Sequence, residues 1–195
     1  MIEVLEARLG SVVVVAEAVR RRHNVSAILR SADALGLHEV HLVTRTFKAS
    51  AGACRGAERW LRVLLDADTP TCIEGLRQRG FTIWAADLDS SCTLPEAVPV
   101  EGPVALLFGS EMAGVSPEAR SLCDGIVGLP MRGFVESLNV SVAAALILRS
   151  VSERRRARVG ADLDEIEKER ILEAWIEREH RYIAAASRRA TGSPT

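Results

Sequence analysis

Apolar runs of strand length alternate with stretches of helical periodicity along most of the chain. Val12 to Ala16 is a β-branched run, and from Asn24 to Gly36 the residues Val25, Ile28, Leu29, Ala32 and Leu35 fall on one helical face, with Gly36 placed as a terminating glycine. Val40 to Val43 and Trp60 to Leu65 read as further strands, separated by a Gly/Ala/Ser-rich stretch from Ser50 to Gly56. Thr71 to Arg79 suits a short helix and Phe81 to Ala86 a strand, while Asp87 to Gly102 is a loop marked by Pro95 and Pro99. Val104 to Phe108 is an almost uninterrupted apolar strand, as expected in the buried middle of a parallel sheet. This alternation predicts an α/β class fold, with helices on both faces of a doubly wound parallel sheet.

The last third of the chain changes character. Gly125 to Leu129 reads as a strand end running into a loop from Pro130 to Glu136, and Ser137 has the hydroxyl expected of a helix N-cap. Ser137 to Arg149 is a strong helix former whose Ala143, Ala144 and Ala145 permit close approach of another helix. After Gly160 the residues Leu163, Ile166, Leu172, Trp175, Ile176 and Ile183 recur at roughly helical spacing among charges, giving an amphipathic tail. That tail packs either on its own domain or on a second subunit.

The 195 residues suffice for one sizeable core with an appendage. No apolar run approaches the ~20 residues needed to span a bilayer. The amino end carries Glu3, Glu6 and Arg8 where a signal peptide would have a basic start, so a cytoplasmic protein without a membrane partner is expected. Cys54, Cys72, Cys92 and Cys123 are too widely spaced for a paired-cysteine motif, and His23, His38, His41 and His180 make no metal spacing with them, so no metal is expected. A net charge of −1 argues at first against a nucleic-acid partner, but eight acids lie between 162 and 179, while basic residues cluster at Arg20, Arg21, Arg22 and at Arg154, Arg155, Arg156 and Arg158.

Three polar constellations punctuate the apolar pattern. Asn24, Ser26, Arg30 and Asp33 lie on the polar side of the first long helix, the last three on one stripe. Phe108-Gly109-Ser110-Glu111 runs from a buried strand into a glycine turn carrying a carboxylate. Ser137 and Asn139 stand at a helix start beyond a strand's carboxyl end, the edge where open α/β sheets bind ligands.

In this order the segments Asn24 to Arg30, Phe108 to Gly114 and Leu129 to Ser141 resemble the SpoU-type branch of the knotted RNA methyltransferases, over roughly residues 12–158. That resemblance implies a parallel-sheet α/β/α sandwich with a carboxyl-terminal trefoil knot, extending over residues 1–158 and followed by a helical tail over 159–195. It implies methyl transfer from S-adenosylmethionine, without metal, to a ribose 2′-hydroxyl of RNA by a homodimer whose active site lies near the subunit interface. By position, Ala86, Gly109, Leu129 and Leu138 correspond to the residues whose backbone holds the cofactor, and Asn24, Arg30, Glu111, Ser137 and Asn139 to the catalytic set. Arg30 either acts as base or, since guanidinium stays protonated, binds phosphate and stabilises developing alkoxide.

The wording Ser137-Leu-Asn-Val-Ser-Val-Ala143 and the placement of His23 before Asn24 are most similar to members that methylate guanosine 18 of tRNA; ribosomal RNA is the alternative substrate. Arg20, Arg21, Arg22, His23, Arg154, Arg155 and Arg156 are the candidate RNA contacts. A non-catalytic RNA-binding module is disfavoured because Arg30, Glu111 and Asn139 are all present, and a flavodoxin-like or other nucleotide-binding enzyme because no glycine-rich phosphate loop follows the first strand.

Overall fold

Strand β1 (Val12–Glu17) is buried along its whole length because it runs through the centre of the sheet. In the computed structural model, which describes residues 1–89 and 92–190, it pairs in parallel with β2 (Glu39–Val43) on one side and β5 (Val104–Phe108) on the other. Beyond these lie β3 (Arg62–Asp66) next to β2, then β4 (Thr82–Ala86) and β6 (Gly125–Val127) on the other flank, giving the parallel order β3-β2-β1-β5-β4-β6.

The uninterrupted valines of β1 are explained by helices on both faces. Val12, Val14, Leu106 and Phe108 point to a core shared with α2 (Arg22–Ala34) and α6 (Val140–Val159), whereas Val13, Val15, Ala105 and Leu107 face α4 (Thr69–Gln78) and α5 (Pro117–Ser121). Burial of each such valine stabilises the fold by about 1.5–3 kcal/mol. Helix α2 starts two residues earlier than the periodicity predicts and closes in a Schellman motif. Leu37 N donates to Ala32 O and Gly36 N to Asp33 O, with Gly36 at a φ of +74°.

One expectation is corrected and two open points are resolved. Helix α6 begins at Val140, not Ser137. Its N-cap is Asn139, whose side-chain oxygen accepts from Ser141 N at 2.9 Å, because the preceding residues stay extended in the loop that leaves β6. The polar stripe of α2 divides: Arg30 is exposed, whereas Ser26 is fully buried and its Oγ accepts from Ser50 N at 2.9 Å, and half-buried Asp33 pairs with buried Arg8 at 2.6 Å. The tail forms α7 (Glu165–Ala190) and packs on its own chain. Leu163, Ile171 and Trp175 close over Leu5 of α1 (Ile2–Glu6), and Trp175 Nε1 donates to Trp60 O at 3.1 Å. A short helix, α3 (Ala51–Cys54), sits against α2.

Strand β6 has partners on both edges. It pairs with β4, and on the other side Thr93 N donates to Ile126 O at 2.8 Å while Gly128 N donates to Thr93 O at 3.0 Å. Both flanking segments belong to the stretch that leads from β4 to β5. A Cβ at Gly128 would lie 2.5 Å from Cys92 Sγ and 2.8 Å from Asp87 O, so only glycine fits where the two passes of chain cross.

Candidate active site

The carboxyl ends of β4, β5 and β6 open into a cavity of about 470 Å³. Ala86, Phe108 and Val127 form its floor, Leu88, Leu129, Leu138 and Ile147 its apolar walls, and Asp87, Glu111 and Asn139 its polar rim. The volume and the mixture of apolar walls with few polar groups are those of a small-molecule site. Gly109 keeps one wall thin: Ser110 and Gly114 exchange backbone hydrogen bonds at 2.9 and 3.0 Å, and a Cβ on Gly109 would sit 2.0 Å from the Gly114 carbonyl carbon.

All three polar constellations meet at the rim. Asn24, buried in the first turn of α2, donates from Nδ2 to Glu111 Oε1 at 2.8 Å, and its Oδ1 accepts from Asn139 Nδ2 at 3.2 Å. Because a carboxylate only accepts, Glu111 fixes which end of the Asn24 amide is nitrogen, and Asn24 in turn fixes Asn139. Arg21 N also donates to Glu111 Oε1 at 3.2 Å. Burial raises the pKa of Glu111, but hydrogen bonds from its own backbone, the Asn24 side chain and the backbone of Arg21 and Arg20 outweigh it and hold the carboxyl below its usual range. Glu111 is thus an ionised anchor and a poor proton acceptor near neutrality.

Ala86, Gly109, Leu129 and Leu138 all line the cavity, as do Glu111, Ser137 and Asn139. Ser137 is exposed and points no cap at the helix. Arg30 is exposed two turns along α2, outside the cavity lining, and makes no side-chain hydrogen bond or ion pair among the described residues. Leu88, Met112, Gly128 and Met131 are lining or shaping residues that the sequence reading passed over; Gly128, a glycine between a strand and Pro130, was the one with a visible signal.

The basic clusters divide. Arg20 and His23 are exposed, Arg21 borders the cavity, and Arg22 donates to Lys48 O at 2.9 Å and Ala49 O at 3.0 Å. The carboxyl-terminal cluster has a structural job instead of the RNA contact expected of it. Arg154 donates to Pro95 O and Val98 O, Arg155 is buried against Ser11 Oγ, Val100 O and Glu101 O, and Arg156 holds Ala7 O and Leu35 O. These guanidiniums satisfy carbonyls at loop and helix ends, which explains their spacing along one helix without RNA.

Away from the cavity, donor atoms of His41, Asp66 and Cys72 lie within 4.8 Å of one another. Both His41 nitrogens are already engaged, Nδ1 with Asp66 at 2.8 Å and Nε2 with Glu39 at 3.0 Å. Burial pulls His41 down, yet the two carboxylates outweigh it and hold its pKa up, while burial pushes the Cys72 thiol up. Hydrogen bonding among these groups accounts for the cluster.

A parallel α/β sheet with an apolar cavity and an amide–carboxylate cluster at its carboxyl edge defines an α/β protein with a small-molecule site at its strand ends. The chain belongs to the SpoU rRNA Methylase family, whose model matches residues 11–149. It is 38% identical over 183 residues to a tRNA (guanosine(18)-2'-O)-methyltransferase of Thermus thermophilus, covering 89% of this chain and 92% of that one. It is 36% identical to the protein of the same name from Escherichia coli K12, covering 87% and 77%. Among solved structures it superposes on the TrmH/SpoU tRNA modifying enzyme of A. aeolicus with a TM-score of 0.84 at 32% identity, covering 91% and 93%. It also matches the SpoU methyltransferase AviRb of Streptomyces viridochromogenes in complex with AdoMet, with a TM-score of 0.66 at 27% identity, covering 78% and 62%.

Proposed function

We propose that this chain transfers a methyl group from S-adenosylmethionine to the ribose 2′-hydroxyl of guanosine 18 in tRNA. The observation that carries the reading is the junction of Asn24, Glu111 and Asn139 at the mouth of the cavity, since it joins three segments distant in sequence at the point where donor and acceptor would meet. The relatives named for this reaction, aligned along most of the chain, support the substrate.

The cavity fits the methyl donor. Its apolar walls suit adenine, the strand ends and Gly109 leave backbone groups within reach of a ligand, and Glu111 would add an acidic group for a cationic ligand, Asp87 being paired with Arg120 at 3.0 Å. Ala86, Gly109, Leu129 and Leu138 would hold it; when bound it supplies an electrophilic methyl group. Asn24, which gives one amide hydrogen to Glu111, and Asn139, which gives one to Asn24, each retain a second, and these orient the ribose for in-line attack. Ser137 adds a hydroxyl at the same rim. Glu111 keeps the Asn24 amide in place. Arg30 binds the adjoining phosphate through its guanidinium and stabilises negative charge on the 2′-oxygen, whose proton passes to solvent.

Arg30 reaches the site from a second copy. Leu138, Val142 and Leu146 leave an apolar face exposed on and before α6, with Val142 and Leu146 one turn apart, and this face suits a homodimer seam beside α2. Arg20, Arg21 and His23 at the start of α2 then lie on the RNA side. The flanking of β6 by β4 and Thr93 supports a chain threaded as a trefoil knot, and residues 1–158 form the methyltransferase domain with 159–195 as its tail. A cytoplasmic location follows from the tRNA substrate. The test is methyl transfer from labelled S-adenosylmethionine to unmodified tRNA in the presence of a chelator. Transfer is expected; none to tRNA or to ribosomal RNA would sink the proposal.

A further inference from the structure

A second cavity, of about 480 Å³, opens at the same edge of the sheet, beyond the carboxyl ends of β1 and β2. Its floor is apolar, formed by Ala16, Val25 and Leu42, and one wall is the ring of Phe47, half-buried in the loop after β2. Its rim carries Arg20, Arg22 and Lys48. Arg22 is a brace, holding the carbonyls of Lys48 and Ala49 and so pinning the loop to α2. Arg20 and Lys48 are exposed and have no side-chain hydrogen bond or ion pair among the described residues.

One short segment borders both this cleft and the first cavity. Arg20 and Arg22 line the second cleft while Arg21, between them, lines the first, and neighbouring Cα atoms are about 3.8 Å apart. The segment is set by Ala18, which adopts a φ of +52°, a left-handed conformation rare for a residue with a Cβ. Helix α2 begins at this wall with no N-cap side chain of its own, and the Arg21 amide at its start is taken by Glu111 on the side of the first cavity.

We infer that this cleft binds one nucleotide of the substrate RNA, the neighbour of the one methylated, with its base stacked on Phe47 and its phosphate held by Arg20 and Lys48. Single-stranded RNA is read in this way, by bases splayed onto aromatic rings and phosphates caught by cations. In a chain with 4% aromatic residues, a ring beside two free cations next to the reactive rim is what such a subsite requires. The inference rests on the tRNA methyltransferase reading above and adds Phe47, Lys48 and Arg20 as substrate contacts.

Steady-state methylation of unmodified tRNA tests it with Phe47→Leu, which keeps apolar packing but removes the ring, and with Lys48→Gln, which alters an exposed side chain. Phe47→Leu is expected to raise KM about tenfold, the size of one base–ring stack. Lys48→Gln is expected to reduce the salt dependence of tRNA binding by about one phosphate contact. Binding of S-adenosylmethionine should be unchanged in both, which also reports an intact fold. Ultraviolet cross-linking of wild-type protein to tRNA should yield a nucleotide adduct on the peptide containing residues 44–48. Wild-type transfer with unaltered KM and salt slope in both variants, and no adduct on that peptide, would overturn the subsite and leave the methyltransferase reading standing. Absence of transfer and of RNA binding by the wild type would remove both.

Discussion

Asn24 and Glu111, 87 positions apart in sequence, are joined by a 2.8 Å hydrogen bond from Nδ2 to Oε1, and through it the first turn of α2 is tied to the loop after β5. Asn139 at the head of α6 completes the junction. Replacing Asn24 by alanine leaves Glu111 without a side-chain partner and Asn139 without its orienting acceptor. The expected result is a fall in kcat of about 100-fold, the scale of losing one preorganised donor. Affinity for S-adenosylmethionine, measured by calorimetry, should remain near the wild-type value.

Arg30 lies outside its own chain's cavity, so activity should be recoverable by mixing subunits. Arg30→Ala and Asn24→Ala proteins, each nearly inactive, are denatured together and refolded at equal concentration. Random pairing then restores about a quarter of wild-type activity, because half the dimers are mixed and each holds one intact site. No recovery would place Arg30 in the site of its own chain.

Gly109→Ala introduces a Cβ where Gly114 backbone already lies at 2.0 Å, and no flexible side chain can yield. The loop from Ser110 to Gly114 must open. Cofactor binding is expected to weaken by 100-fold or more, about 3 kcal/mol, in equilibrium dialysis.

Histidine 38 gives the fold a defined acid sensitivity. Burial, with Arg8, Arg62 and Arg178 nearby, lowers the His38 pKa to about 4 against the pull of Glu39. A depressed folded pKa means that the stabilisation is full above the unfolded value and is lost as pH falls toward the folded one. Between pH 6.5 and 4.5 the loss is about 2 kcal/mol, while Glu39, whose pKa is lowered to about 2, contributes only below that window. His41 acts in the opposite sense, its raised pKa giving stability that is lost as pH rises above the usual imidazole range. Urea unfolding of His38→Asn across pH 6.5 to 4.5 should show a flatter profile than wild type.

Much of this architecture was legible in the pattern of residues, and for physical reasons. Val104 to Phe108 declared a central strand because both its faces are covered, and Gly36 declared a helix end because the Schellman turn needs a left-handed residue. Local rules misplaced the start of α6, since Ser137 and Asn139 are both good caps and only the path of the loop decides between them. The order of strands around β6 lay beyond periodicity, because no local signal says that Thr93 will return to flank Val127. The arginines of α6 misled in the other direction. A basic cluster reads as a phosphate site until the carbonyls of Val98, Val100 and Leu35 are seen to face it.

Mapping the methylated nucleotide tests the central claim most directly. Unmodified tRNA incubated with the protein and labelled S-adenosylmethionine is digested to nucleosides and oligonucleotides and resolved by mass spectrometry. The account predicts a single 2′-O-methylguanosine at position 18, with the label on the ribose and the adjoining phosphodiester resistant to alkali. Label on a base, or on the ribose of a nucleotide elsewhere in the tRNA, would contradict it.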